Sequence, residues 1–195
     1  DINVERIGER VLVRTMQQYA VDYRPYECWT MGSECDGAFA QYMVAFSEET
    51  YKIDSDWSDI ELASVPCAYS TAENLLERSG VKANEVVLIT GASGGVGSAA
   101  VQLAKRRGAE VIAIASKEKA IEVQKIGADL VIKRDQSLND ALENESVDVV
   151  IDLVAGDNWG ELLNILKRGG RYAAAGAIAG PIVELDIRTL YLKDL

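Results

Sequence analysis

Residues 86–107 read VVLIT, then GASGGVG, then SAAVQLAKRR. An apolar, β-branched run (86–90) ends in a turn spaced Gly91-x-x-Gly94-x-x-Gly97, and the turn opens an amphipathic helix. A helix N-terminus presents unpaired N–H groups and the positive end of the helix dipole to an anion. Glycines let the backbone turn tightly and approach such a ligand closely. A second β-branched run, EVIAIA at 110–115, follows. Strand, glycine turn, helix and strand in that order are the context a dinucleotide-binding fingerprint requires.

The pattern continues outward as strand–helix alternation. Strands are expected at 85–90, 110–115, 129–132, 147–154 and 171–176. Helices are expected at 95–107, 117–126, 137–144 and 157–167, with Gly108, Gly127 and Gly169 as left-handed caps. The strands are apolar on both faces, as in a parallel sheet covered by helices. The expected fold is therefore α/β, a doubly wound Rossmann sheet. The chain begins at Asp1 without a methionine and provides five such strands, so it reads as a fragment whose sheet lacks its last strand.

Residues 1–56 read differently. Short β segments are expected at 10–14, 38–45 and 51–53, with an irregular stretch at 17–36. Fifty residues of this kind make a poor core alone. Ser58-Asp-Ile-Glu61 is a capping box, Pro66 interrupts the helix it opens, and a second helix is expected from about Ser70 to Gly80. The expected division is 1–56 (β-rich), 57–84 (connecting helices) and 85–195 (Rossmann).

The 195 residues are 48% hydrophobic and 26% charged, with a formal net charge of −11. A general positive field for nucleic acid is absent. No apolar run reaches membrane-spanning length, and no signal peptide is visible. Three cysteines without tight spacing fit a reducing cytoplasm. There is no histidine, which excludes Ser-His-Asp and Cys-His catalysis and any His-containing metal site within this chain.

The chain resembles the medium-chain dehydrogenase/reductase superfamily, which includes zinc alcohol dehydrogenases and quinone oxidoreductases. IGERVLV (7–13) and DGAFAQYMV (36–44) are similar to stretches of its GroES-like catalytic domain. ELASVPCAYSTAENLL (61–76) is similar to the segment joining the two domains. Residues 87–113, IGADLVI (126–132), VDVVIDLVAG (147–156) and LLNILKRGGRYAAAGAIAG (162–180) are similar to successive parts of the cofactor-binding core. The resemblance makes 1–56 the end of a catalytic domain and implies an oxidoreductase passing hydride between a nicotinamide and a small alcohol or carbonyl substrate.

The resemblance also assigns residues. Cys67 matches a zinc ligand of the zinc enzymes, a position that the zinc-free quinone reductases fill otherwise. The remaining zinc ligands would lie outside this chain, so the fragment itself is expected to hold no tightly bound zinc and to be inactive. Cys28 and Cys35 do not match the structural zinc lobe and read as structural or incidental. Pyrophosphate would lie over Ser93, Gly94, Gly95 and Val96. Leu153 and Val154, and Gly176, Ala177 and Ile178, would flank the nicotinamide and its ribose, with Thr71 nearby.

Cofactor choice rests on the end of the second strand. A carboxylate there accepts from the adenosine ribose and repels a 2′-phosphate. Here the position is Ala115, followed by Ser116, Lys117 and Lys119, with Arg134 after the third strand. A neutral position beside basic groups favours a phosphate, so NADP(H) is expected over NAD(H). A small-molecule substrate is the expected partner, with neither nucleic acid nor membrane, and homo-oligomerisation is left open. Two rival readings stand beside the zinc dehydrogenase: a zinc-independent quinone or enone reductase, and a non-catalytic NADP-binding sensor module.

Overall fold

The computed structural model describes residues 4–17 and 28–195. The chain divides into two compact units, residues 1–67 and 68–195.

The first unit contains four short strands: β1 Val11–Val13, β2 Met16–Gln17, β3 Trp29–Thr30 and β4 Thr50–Lys52. β1 pairs with β4 and β2 with β3, both antiparallel. Among its described residues only Leu62 is a buried apolar side chain. Arginine hydrogen bonds brace it instead. Arg6 donates to the Ser47 carbonyl at 2.9 Å and to the Thr50 hydroxyl at 2.8 Å. Arg10 donates to Asp59 and to the Trp57 carbonyl, both at 2.6 Å.

The capping box forms as expected. Ser58 Oγ accepts from Glu61 N, and the Glu61 carboxylate accepts from Ser58 N at 2.8 Å. It opens helix α1, Asp59–Ala63. Helix α2, Val65–Arg78, begins earlier than expected. Pro66 sits in its first turn, where the missing N–H would have had no intrahelical partner. The strand expected at 38–45 is not formed. Phe39, Tyr42 and Val44 are largely exposed, because an alternating pattern becomes a strand only against a neighbour, and none pairs with it among the described residues. Half of the stretch read as irregular, 18–27, lies outside the described residues, and β3 falls in the rest.

The second unit is an α/β layer structure. Its sheet contains β5 Val86–Ile89, β6 Glu110–Ala115, β7 Leu130–Lys133, β8 Val147–Asp152 and β9 Leu166–Ala174, in the order β7-β6-β5-β8-β9. Every ladder is parallel. Helices α3 Gly95–Arg106, α4 Ala120–Lys125, α5 Leu138–Ala141 and α6 Trp159–Ile165 lie between strands, and α7 Ile187–Lys193 follows β9. This is the Rossmann sheet expected from the alternation.

The apolar residues on both faces of the strands are explained by a core on each face. Val87, Ile89, Val111, Ala113, Val149 and Ile151 pack with α2, α3 and α4. Leu88, Ile112, Ile132, Val147 and Val150 pack with α5 and α6. Each fully buried Leu or Ile contributes about 1.5–3 kcal/mol.

Gly80, Gly108 and Gly127 end α2, α3 and α4 in the same left-handed cap, with paired 6→1 and 5→2 backbone bonds. Gly169 does not cap a helix. Helix α6 ends at Ile165, and Gly169 lies within β9, where the register slips between Val147 opposite Leu166 and Val149 opposite Arg171. The opposite end of the sheet from the glycine turn is braced by charge. Lys167 reaches Asp148 at 2.8 Å, Asp148 accepts from Val86 N at 2.8 Å, and Arg171 meets Glu85 at 2.8 Å.

Candidate functional site

Because all ladders are parallel, the carboxyl ends of the five strands meet along one edge. A cleft of about 870 Å³ opens there. Open α/β sheets bind ligands at this edge.

The glycine turn forms its floor. Thr90 leaves β5, Gly91 takes a left-handed φ of 59°, and Gly94 is the N-cap of α3. Gly94 has no side chain to cap the helix, so the first N–H groups of α3 remain available for a ligand. Gly97 is buried inside the first turn. A Cβ there would strike the Gly91 carbonyl oxygen and stand 2.7 Å from Ala92 Cα. The helix therefore sits against the turn as only glycine permits. This cradle fits the pyrophosphate of a dinucleotide.

Gly91, Ser93, Gly94, Val96, Gly97, Arg134, Leu153, Val154, Gly176 and Ile178 line the cleft. Gly95 lies in the first turn of α3 and Ala177 in the segment after β9, and neither is among the lining residues. Thr71 is half-buried on α2 and is also not a lining residue.

Arg134 is exposed, lines the cleft beside Ala115, and forms no ion pair among the described residues. Its backbone N–H donates to the Ala115 carbonyl at 3.0 Å, which brings the ends of β6 and β7 together. Ser116 is the N-cap of a 3-10 turn, Lys117–Lys119. Lys117 is exposed, and Lys119 is paired with Glu122 at 3.0 Å. Glu118 belongs to this locality as well. Its own backbone N–H, the Ser116 hydroxyl and the charge of Arg134 hold its carboxyl below the usual range. Ser116, Lys117 and Lys119 are not among the residues lining the cleft, and Glu118 adds a carboxylate to their turn.

Sequence reasoning did not single out Asp152. It is fully buried at the end of β8 and borders the cleft. Its Oδ1 accepts from Thr90 Oγ1 at 2.6 Å and from the N–H groups of Val154 at 2.9 Å and Ala155 at 3.1 Å. Its Oδ2 accepts from the Tyr172 hydroxyl at 2.5 Å. Burial and the Asp152 carboxylate push the Tyr172 phenol far above its usual range, so it stays a proton donor. The second carboxylate of the run VDVVID, closing the strand four residues after Asp148, was the available signal.

Cys67 is exposed on α2. Among the described residues no group of three or more Cys, Asp or Glu side chains converges on a point where a metal could sit. A catalytic zinc needs three protein ligands, so these residues do not make a zinc site. Also among the described residues, no helix is long and apolar enough to cross a membrane.

The family profile described as zinc-binding dehydrogenase matches residues 95–195. The chain is 34% identical over 164 residues to an acryloyl-coenzyme A reductase from Sulfurisphaera tokodaii, covering 83% of this chain and 49% of that protein. It is 34% identical over 168 residues to a quinone oxidoreductase from Sus scrofa, covering 83% of this chain and 50% of that protein. Among solved structures, a protein from Sinorhizobium meliloti assigned as an alcohol dehydrogenase superposes with a TM-score of 0.92 at 46% identity, covering 100% of this chain and 55% of that one. The chain thus spans about half the length of the relatives it matches.

Proposed function

Because the chain belongs to the zinc-binding dehydrogenase family of the medium-chain dehydrogenase/reductase superfamily, we propose that it is the dinucleotide-holding part of an oxidoreductase that passes hydride between NADP(H) and a small carbonyl or alcohol substrate. The observation that carries this reading is the cradle at the glycine turn, where Gly97 leaves no room for a Cβ and the N-terminus of α3 faces the cleft. The nicotinamide, when bound, supplies the hydride chemistry.

The chain's own residues bind and orient. The first-turn amides of α3 hold the pyrophosphate. Leu153, Val154, Gly176 and Ile178 close around the nicotinamide half and exclude water from it. Arg134, with Ser116 and Lys117, receives the 2′-phosphate. Glu118 opposes that charge and limits the preference.

For the substrate, two readings stand, a zinc-assisted alcohol dehydrogenase and a zinc-independent reductase of quinones or enones, because the chain spans about half the length of its relatives. Cys67 supplies one thiolate, and the described residues supply no cluster to join it. Relatives named as quinone oxidoreductase and acryloyl-coenzyme A reductase support the second, and the Sinorhizobium meliloti structure assigned as an alcohol dehydrogenase supports the first. In the zinc-assisted form, Cys67 would be one ligand and the rest would come from beyond the described residues.

Calorimetric titration of the chain with NADPH and NADH tests the cofactor assignment. NADPH is expected to bind more tightly. Arg134→Ala is expected to erode that preference, and Glu118→Gln to raise it by about 2–5-fold, the scale of one exposed charge pair. Equal binding of both dinucleotides, unmoved by either substitution, would remove the 2′-phosphate assignment.

A further inference from the structure

We propose that Asp152, which has no exposed surface, is a positioning residue that sets the nicotinamide half of the cleft. The inference rests on the dinucleotide reading and extends it to how that half is held. Three consecutive amides turn inward at the end of β8. Leu153 N donates to Thr90 Oγ1 at 2.8 Å, and the N–H groups of Val154 and Ala155 donate to Asp152 Oδ1. Ala155 is held at a φ of 53°, a conformation that L residues rarely adopt without such restraint.

The facing rim hangs from the same segment. Ala175 N donates to the Asp152 carbonyl at 3.0 Å, and Ala179 N to the Val154 carbonyl at 2.9 Å. Gly176 packs so closely on the Leu153 carbonyl that a Cβ would collide with it. Thr90, the other partner of Oδ1, is the last residue before the glycine turn. The buried carboxylate therefore fixes the loop at 153–155 to Thr90 at the end of β5, and the backbone of that loop carries the rim at 175–179. An apolar side chain would avoid burying a charge. The carboxylate accepts from the Thr90 and Tyr172 hydroxyls and from the amides of Val154 and Ala155, and of these Thr90, Val154 and Ala155 line the cleft.

The test compares binding of NADPH with binding of adenosine 2′,5′-bisphosphate, which lacks the nicotinamide half. Asp152→Ala is expected to weaken NADPH by at least about tenfold, the scale of leaving buried donors unpaired, while the bisphosphate is weakened far less. Asp152→Asn, which keeps the Oδ1 acceptor, is expected to restore most NADPH affinity. Thr90→Val keeps the shape and removes only the hydroxyl that joins Asp152 to Leu153 N, so it is the second variant if the alanine one does not fold, and it is expected to show the same split. Equal weakening of both ligands, or of neither, overturns the inference while leaving the dinucleotide reading in place. An unaltered chain that binds neither ligand overturns the reading and the inference together.

Discussion

Gly97→Ala puts the cradle to the test. The new Cβ would collide with the Gly91 carbonyl oxygen and lie 2.7 Å from Ala92 Cα and 2.8 Å from the Gly91 carbonyl carbon. All three are backbone atoms and cannot rotate aside, so α3 must withdraw from the turn. Overpacking of this kind costs about 1–3 kcal/mol. The rigid neighbours place it at the upper end. Alanine returns about 1 kcal/mol as the better helix former. The expected net loss is about 2 kcal/mol, which lowers Tm by about 4–8 °C in a unit of this size. The same withdrawal moves the first-turn amides, so NADPH affinity is expected to fall by at least about tenfold. Gly95→Ala is the stability control. It lies in the same helical turn, but its Cβ would meet only Ala68 Cβ at 3.7 Å, an ordinary contact. Thermal unfolding and calorimetry on the three proteins decide the matter. A Gly97→Ala variant that matches the unaltered chain in both stability and affinity would refute the reasoning.

Two further outcomes follow from the geometry. Ala155→Gly removes a left-handed alanine, which relieves about 1–2 kcal/mol of strain and costs about 0.5–1 kcal/mol of backbone entropy. Denaturant unfolding should show a net gain, and a loss would mean that Ala155 is unstrained. In acid, burial tends to raise the Asp148 carboxyl and the Glu85 carboxyl, but Lys167 and Val86 N–H on the one, and Arg171 and Lys82 N–H on the other, hold both below their ordinary values. Lowered folded-state values mean that this stabilisation is complete above the unfolded values, near pH 4–4.5, and is lost as pH falls below them. Lys167→Met should make the acid limb shallower in urea melts taken across that range. An unchanged limb would remove Asp148 from the account.

The Rossmann unit was legible because its signals are local and agree. β-branched runs, glycine caps and the Gly91–Gly97 spacing each depend on residues close in sequence, and tertiary packing reinforces them. Expectation failed where the outcome depended on a distant partner. The segment containing Phe39, Tyr42 and Val44 alternates like a strand yet pairs with nothing among the described residues. Gly169 looks like a helix cap by spacing, but the register of β9 against β8 makes it part of a bulge. At the site, the glycine turn was readable because its chemistry is carried by backbone. Asp152 was not, because its role depends on Thr90 and Tyr172, which lie 62 and 20 residues away in sequence.

The most direct test of the central claim is a map of backbone amide shifts in solution as NADPH is added to this chain. The account predicts that the largest changes fall on residues 91–97, on Ala115 and Ser116, and on residues 153–155. Unchanged spectra, or changes confined to residues away from this strand edge, would contradict it.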